Sequence, residues 1–280
     1  MIVVDDGSPE VFRASQLSSF APRNTHFLRH DTNRGRAYSR NRGWREATSP
    51  LTLFLDADMY LTPESVKAHL NFHQQYPGGI AQGHIIGQSL GSLKDFFDNT
   101  YDDTRRLRES ALQESVWTDA SQAFFATGHV SLARHLLEQT QGFDEAFSDY
   151  GWEDLELGLR LQALGVMQQK IKTAVAYHYE PLFAVNHWLT DLEKERQRAS
   201  GAQQLMQKHP QKGRWLCQGT VFDRGVSGVL RWVFPPEKSL PRLEQLQKKH
   251  PKMALALYRG LLHQYYVKSL YASQATSEYR

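Results

Sequence analysis

Three groups of carboxylates stand where this chain leaves apolar, strand-like runs or enters a helix. Ile2-Val3-Val4 leads into Asp5-Asp6-Gly7-Ser8, and Leu51-Thr52-Leu53-Phe54-Leu55 leads into Asp56-Ala57-Asp58. Far downstream comes Gly151-Trp152-Glu153-Asp154. In an open α/β sheet, ligands bind beyond the carboxyl ends of strands. Carboxylate oxygens placed there suit a hard divalent cation. Such a cation neutralises a diphosphate and the charge that develops when its bond to a sugar breaks. An isolated Asp-x-Asp triplet is common in surface turns. The apolar run before it and Met59-Tyr60-Leu61-Thr62-Pro63 after it favour a strand-end site. Asp5-Asp6-Gly7-Ser8-Pro9 reads as a turn with Gly7 at positive φ. Its carboxylates also suit hydrogen bonds from a base or ribose, and the two readings are compatible.

Asn33-Arg34-Gly35-Arg36-Ala37-Tyr38-Ser39-Arg40-Asn41-Arg42-Gly43 opens a helix with four arginines in nine residues. A helix N-terminus bearing guanidinium groups suits a phosphate or nucleobase; a solvated basic helix is the plainer alternative. Glu153 and Asp154 begin an amphipathic segment, Glu153–Leu164, in which Leu155, Leu157, Leu159, Leu161 and Leu164 predict a well-buried helix. Acids at a helix start complement the dipole whatever else they do. A carboxylate held at the start of a buried helix is also firmly aimed, as a general base must be.

These groups need a scaffold. The first 90 residues alternate short β-like and longer helical patterns, as α/β sheets do. Strands are expected at Ile2–Asp5, Thr25–Arg29, Leu51–Leu55 and Ile80–Ile86, and helices near Pro9–Phe20, Gly35–Ala47 and Pro63–Gln75. Thr62 as N-cap and Pro63 at the first helical position mark the start of the third helix. Further on, the pattern predicts a charged helix over Leu93–Glu114, a strand at Ser121–Ala126, a short helix at Ser131–Glu138, a turn at Gly142-Phe143-Asp144 and a strand at Val175–His178. Beyond Asn186 the pattern is mostly helical, broken by Pro235-Pro236, with Met253–Ala272 as the last helix.

The single cysteine, Cys217, excludes an internal disulfide and suits a reducing compartment. No run of 18 apolar residues is present. The net charge of +3 hides an asymmetry: Lys208–Arg280 carries 13 Lys/Arg against 4 Asp/Glu, and the residues before it 20 against 26. An acidic front half suits a cation site. The basic, aromatic-rich tail suits anionic lipid or nucleic acid, or a plain solvated helical face. Val226, Val229, Leu230, Trp232, Val233 and Phe234 beside Arg224 and Arg231 suit a membrane interface or packing against the rest of the chain.

Val-Val-Asp-Asp-Gly-Ser, Asn-x-Gly-x-x-x-x-Arg-Asn and Leu-Asp-Ala-Asp, in that order, resemble an inverting family 2 glycosyltransferase of GT-A fold. Ala126-Thr127-Gly128-His129-Val130-Ser131, Gly142-Phe143-Asp144-Glu145-Ala146-Phe147 and Gly151-Trp152-Glu153-Asp154-Leu155 resemble the C-terminal half of galactosyltransferase-like catalytic domains. The resemblance spans roughly Ile2 to Pro181. It implies an α/β, Rossmann-like mixed sheet flanked by helices over residues 1–185, followed by a helical basic extension over 186–280. It implies transfer of a sugar from a UDP-sugar to a glycan or lipid-linked acceptor hydroxyl, with inversion and Mn2+ or Mg2+.

Residue by residue, the resemblance gives Asp6 to the uracil or ribose with Asp5 beside it, Arg40 to the base, and Asp56 to ribose or metal. Asp58 becomes the main metal ligand and His178 a further one from a strand end. Asp154 becomes the general base and Glu153 the holder of an acceptor or donor hydroxyl. Trp152 offers a flat face to the acceptor sugar, or belongs to the core. His129 reads as a support behind the site's own ligands or as structural. The implied site is cytoplasmic, with peripheral membrane contact through the basic C-terminal region and no nucleic acid partner. The resemblance also implies a first strand, a Pro-containing loop and a first helix ahead of Met1. The expectation is therefore of low stability or weak activity for this chain alone, and the alternative function is a catalytically impaired nucleotide-sugar-binding module.

Overall fold

The computed structural model describes residues 1–9, 22, 24–90, 125–181, 185–217 and 240–277. The helices expected at Pro9–Phe20 and Leu93–Glu114, and the patch from Val226 to Phe234, lie outside these residues, as does most of the strand expected at Ser121–Ala126. Two compact units divide the chain. The first comprises Met1–Ser148 and Glu153–Leu182; the second comprises Asp149–Trp152 and Phe183–Arg280.

In the first unit, β1 (Ile2–Asp5) pairs in parallel with β2 (His26–Arg29) as a two-stranded sheet. Helix α1 (Arg36–Glu46) packs against β1. A separate five-stranded mixed sheet has the order β3-β6-β5-β7-β4. Its strands are β3 (Leu51–Leu55), β4 (Met59–Leu61), β5 (Ile80–Leu90), β6 (His129–Ala133) and β7 (Gln168–Pro181). Within the described residues, no ladder joins β1 to β3. Helices α2 (Pro63–Gln75), α3 (Arg134–Thr140) and α4 (Glu153–Ala163) complete the unit.

Alternation decides β3: Thr52 and Phe54 point inward, while Leu55 is 39% exposed. Every residue of β6 is buried. A strand covered on both faces shows no period-two pattern. For that reason Ser131–Glu138 reads as one helix in the sequence, whereas Ser131–Ala133 completes β6 and only Arg134–Thr140 is helical. The three-residue β4 carries no signal of its own, and its pairing with β7 makes it a strand. Phe125 and Ala126 are not in a strand. Thr62 does cap α2, but its hydroxyl meets the Ser65 hydroxyl at 3.1 Å rather than a backbone N–H.

The core is built by Trp44, Phe54, Ile80, Phe125, Val130, Leu132, Leu137, Phe143, Leu157 and Leu161. Helix α4 buries Leu157, Leu159 and Leu161 as its pattern predicts, while Leu164 just beyond it is 45% exposed. Gly158 lets α4 approach closely: a β-carbon there would lie 2.7 Å from Cβ of Phe125. Arg160 pairs with the buried Glu156 and donates to the Gly142 carbonyl, tying α4 to the turn after α3.

One clamp links two of the sequence motifs. Asn41 is fully buried, and its Oδ1 accepts from the Phe143 amide at 2.8 Å and from Trp44 Nε1 at 2.9 Å. Its Nδ2 donates to the Phe143 carbonyl and to Glu145 Oε1, each at 2.8 Å. Asn41→Ala leaves several buried groups unpaired, each costing about 1–3 kcal/mol. Thermal denaturation of this variant is expected to show a large fall in Tm with the secondary structure of the surviving native state unchanged.

The second unit is helical. A 3-10 turn (Val185–His187) precedes α5 (Trp188–Lys208), α6 (Pro210–Cys217), α7 (Leu240–Lys249) and α8 (Pro251–Ser277). Val185, Trp188, Leu243, Tyr258 and Leu261 form its apolar cluster. Among the described residues, no helix is long and apolar enough to cross a membrane.

Candidate active site

The carboxyl end of β1 shapes the first wall. Asp5 accepts from the Ser8 amide at 2.9 Å and pairs with Arg29. The Ser8 amide and hydroxyl, together with the Arg29 guanidinium, hold its carboxyl below the ordinary carboxylate range. Asp6 bonds to His30 Nδ1 at 2.8 Å and accepts from the amides of Arg34 at 2.8 Å and Gly35 at 2.9 Å. Both aspartates thus order the loops that precede α1. Gly35 has φ +87°, and a β-carbon there would lie 2.6 Å from the Ser148 carbonyl oxygen. The Asp6-bound loop therefore rests directly on the backbone leading toward Glu153.

Arg40, on α1, joins two of the acidic groups. Its Nη1 donates to Glu153 Oε1 at 2.6 Å and its Nη2 to Asp56 Oδ1 at 3.3 Å. Glu153 is 2% exposed, and its Oε2 is buried without a hydrogen-bond partner. Asp154 follows it at the start of α4, with Oδ1 accepting from the Leu155 amide at 2.8 Å. Burial, and then the neighbouring Glu153 charge, push the Asp154 carboxyl up to about 6, against the opposing pull of Arg40.

Asp58 and His178 meet at the other end of this row. Backbone pairing sets Met59 opposite His178, and the Tyr179 amide donates to the Asp58 carbonyl at 3.1 Å. Asp58 Oδ2 lies 3.2 Å from His178 Nε2. A cation bonding oxygen or nitrogen donors at about 2.1 Å in octahedral geometry separates adjacent ligands by about 3 Å. The pair therefore fits as two neighbouring ligands. Among the described residues, no group of three or more His, Cys, Asp or Glu could hold a metal ion. A divalent ion bound here would draw its remaining ligands from phosphate oxygens and water, the usual habit of Mg2+.

The fold thus brings Asp56, Asp58, Arg40, Glu153, Asp154 and His178 into one unit, linked through Arg40 and the Asp-x-Asp turn. Trp152 belongs to the second unit. It is 9% exposed, its Nε1 donates to the Arg198 carbonyl at 2.7 Å, and a β-carbon on Gly201 would lie 3.0 Å from its Cδ1. Its φ of +76° is rare for a bulky residue and follows Gly151 at +89°. Together these two positions make the sharp turn into α4.

Sequence reasoning passed over two supports. Gln82 is buried in β5; its Nε2 donates to the Ala126 and His129 carbonyls and its Oε1 accepts from the Ala126 amide. It fixes the segment whose Gly128 carbonyl receives the Asp56 amide. The second is a buried histidine group. His69 Nδ1 meets Ser131 Oγ at 2.7 Å, its Nε2 meets His129 Nε2 at 2.9 Å, and His73 Nε2 meets the same Ser131 Oγ at 2.8 Å. Spacing hints at both ends of this group, since His69 and His73 are four apart on α2 and His129 and Ser131 two apart on β6. Only the packing of α2 on β6 reveals that they join.

Residues 1–221 match the family described as "Glycosyltransferase like family 2". This chain belongs to glycosyltransferase-like family 2. Among curated relatives of this family, it is 25% identical over 223 residues to the glycosyltransferase YfnE of Bacillus subtilis, covering 64% of this chain and 57% of the relative. It is 41% identical over 123 residues to the hyaluronan synthase of Pasteurella multocida, covering 44% of this chain and 12% of the relative. The chain therefore spans little more than half, and often far less, of the curated relatives it matches. The family 2 fold is that of GT-A glycosyltransferases. A mannosyltransferase from Pyrobaculum calidifontis, solved with GDP-Man and Mn2+, aligns with TM-score 0.57 and 16% identity over 97% of this chain and 77% of that one. TarS from S. aureus, solved with UDP-GlcNAc, aligns with TM-score 0.53 and 15% identity over 98% and 82%.

Proposed function

We propose that this family 2 chain transfers a sugar from a UDP-sugar to a glycan or lipid-linked acceptor hydroxyl, with inversion, in polysaccharide or glycoconjugate synthesis. The observation that carries the reading is the Arg40 bridge. It holds Asp56, two residues from the Asp58–His178 pair, and Glu153, next to Asp154, within one framework. A diphosphate site and a base site are both needed for direct displacement at a sugar carbon, and this arrangement supplies candidates for each. The named relatives and the complexes of the structural neighbours agree with sugar transfer from a nucleotide donor.

In this reading, Asp5 and Asp6 order the nucleotide-side loops, and Asp6, Arg40 and Asp56 contact the nucleoside. Asp58 and His178 would hold Mn2+ or Mg2+, which would supply charge neutralisation at the diphosphate. Asp154 takes the proton from the acceptor hydroxyl as that oxygen attacks the anomeric carbon. Glu153, with Oε1 committed to Arg40, keeps Oε2 for a sugar hydroxyl. Trp152, one residue earlier, remains a candidate for the acceptor sugar on the resemblance alone; within the second unit it is buried and bonded to Arg198.

Asp58→Ala tests the diphosphate half. Titration of UDP by calorimetry, with and without Mn2+, is expected to show metal-dependent tightening in the wild type and its loss in the variant. Equal tightening in both would remove Asp58 from the metal site. Release of UDP from a panel of UDP-sugars tests the whole reading: donor binding without release in the presence of acceptors would favour a binding module.

A further inference from the structure

Helix α6 is short, but both of its sides are defined. A β-carbon on Gly213 would lie 2.7 Å from the Leu205 carbonyl oxygen and 2.9 Å from Cα of Met206, so α6 lies directly on the α5 backbone there. Cys217, one turn on, is buried with its Sγ 3.6 Å from the Ala202 carbonyl oxygen. This contact fixes how α6 is rotated about its axis. At about 100° per residue, Trp215 falls on the side opposite Gly213, with Lys212 and Arg214 on its two flanks. The exposures agree: Trp215 is 67% exposed, and Lys212 and Arg214 are exposed as well. Between Glu195 and Asp223 the sequence has no carboxylate. Arg196 and Arg198 pair back to Glu193 and Glu195, while Lys208, Lys212 and Arg214 stand nearer to α6 or on it.

We propose that α6 is an interfacial anchor that sets Trp215 into the headgroup layer of an anionic lipid bilayer, with Lys212 and Arg214 against the lipid phosphates. Tryptophan has an apolar body and a polar N–H, the combination that favours the boundary between hydrocarbon and water. An exposed indole flanked by Lys212 and Arg214 complements an anionic, half-apolar surface. Seating of α6 on α5 means that the backbone carrying Trp215 needs no ordering when the side chain inserts. Each cation at an anionic surface strengthens binding roughly fivefold, so Lys212 and Arg214 together give a preference of about twenty-five-fold over neutral lipid.

This inference stands apart from the sugar-transfer reading, because its test contains no nucleotide or acceptor. The full chain is sedimented with an excess of vesicles of phosphatidylcholine alone or with phosphatidylserine added. The wild type is expected to pellet with the anionic vesicles and to be released by high salt. The double variant Lys212→Glu/Arg214→Glu is expected to bind at least tenfold more weakly, and Trp215→Ser severalfold more weakly, with circular dichroism unchanged since all three side chains are exposed. Failure of the wild type to pellet with anionic vesicles, equal pelleting with neutral ones, or wild-type binding by the charge-reversed variant would each overturn the assignment. Any of these would leave this face to a protein or nucleic acid partner.

Discussion

Asp154→Asn is expected to bind UDP as tightly as the wild type while losing transfer by about 10²–10⁴-fold, the usual contribution of a positioned general base. Asparagine keeps the shape and the hydrogen bond from Leu155 but cannot take a proton. The same variant carries a second signature. Burial and the Glu153 charge raise the Asp154 carboxyl to about 6. A carboxyl raised above its unfolded value of about 3.9 favours folding below that value and opposes it as pH rises through the folded one. At pH 7.5 the wild type therefore bears the cost of an ionised, partly buried acid, and the Asn variant is freed of it. It should be more stable than the wild type by about 1–3 kcal/mol, read as a higher Tm. In the wild type, transfer should fall as pH drops through about 6, because the base becomes protonated. An Asn variant that turns over normally would falsify the assignment of the base. One that loses both transfer and stability would point to a structural role instead.

Acidification from pH 7 to pH 5 is expected to destabilise the fold strongly. Burial pushes His69 down to about 3, with the nearby His129 and His73 adding to the effect. Burial likewise pushes His129 down to about 4. Both side chains are almost wholly inaccessible. A histidine with a depressed folded value is held neutral in the native state, so its contribution to stability is complete above about 6.5 and is lost as pH falls toward the folded value. At pH 5 each of the two forfeits about 2 kcal/mol. Urea denaturation at pH 7, 6 and 5 should show a midpoint that falls steeply. His69→Gln/His129→Gln should flatten that dependence, whatever it does to the absolute stability. A midpoint independent of pH in the wild type would mean that these rings bind protons without opening the core. The surroundings leave no room for adjustment, since a β-carbon on Gly83 would lie 2.1 Å from His129 Nδ1.

Legibility differed between the two sites for a physical reason. The Asp56–Asp58 triplet and Glu153-Asp154 stand at element ends, and such boundaries are visible in a linear chain; Arg40 is visible as one of four arginines within nine residues. The histidine group is visible only as two spacings, because its members come from the inward faces of a helix and a strand that meet across 60 residues of sequence. Strand β6 was itself obscured, since full burial erases the alternation that marks a half-buried strand. Asn41 shows a further limit. Its motif neighbour Arg40 reads as a ligand-binding group, and nothing in the spacing shows that the asparagine turns the other way to clamp the Phe143 turn.

By itself, the amino-acid sequence determined the α/β class, the order of the main elements, the carboxylates gathered at their ends and the arginine-rich helix, because periodicity and turn chemistry are local properties. The tertiary structure alone decided which of those groups meet. It joined Arg40 to both Asp56 and Glu153, set His178 against Asp58 through strand pairing, gave Asp154 its raised pKa through burial beside a second acid, and turned Trp152 inward. Each of these depends on packing between parts of the chain remote in sequence, and the energy of a charge depends on its surroundings in space.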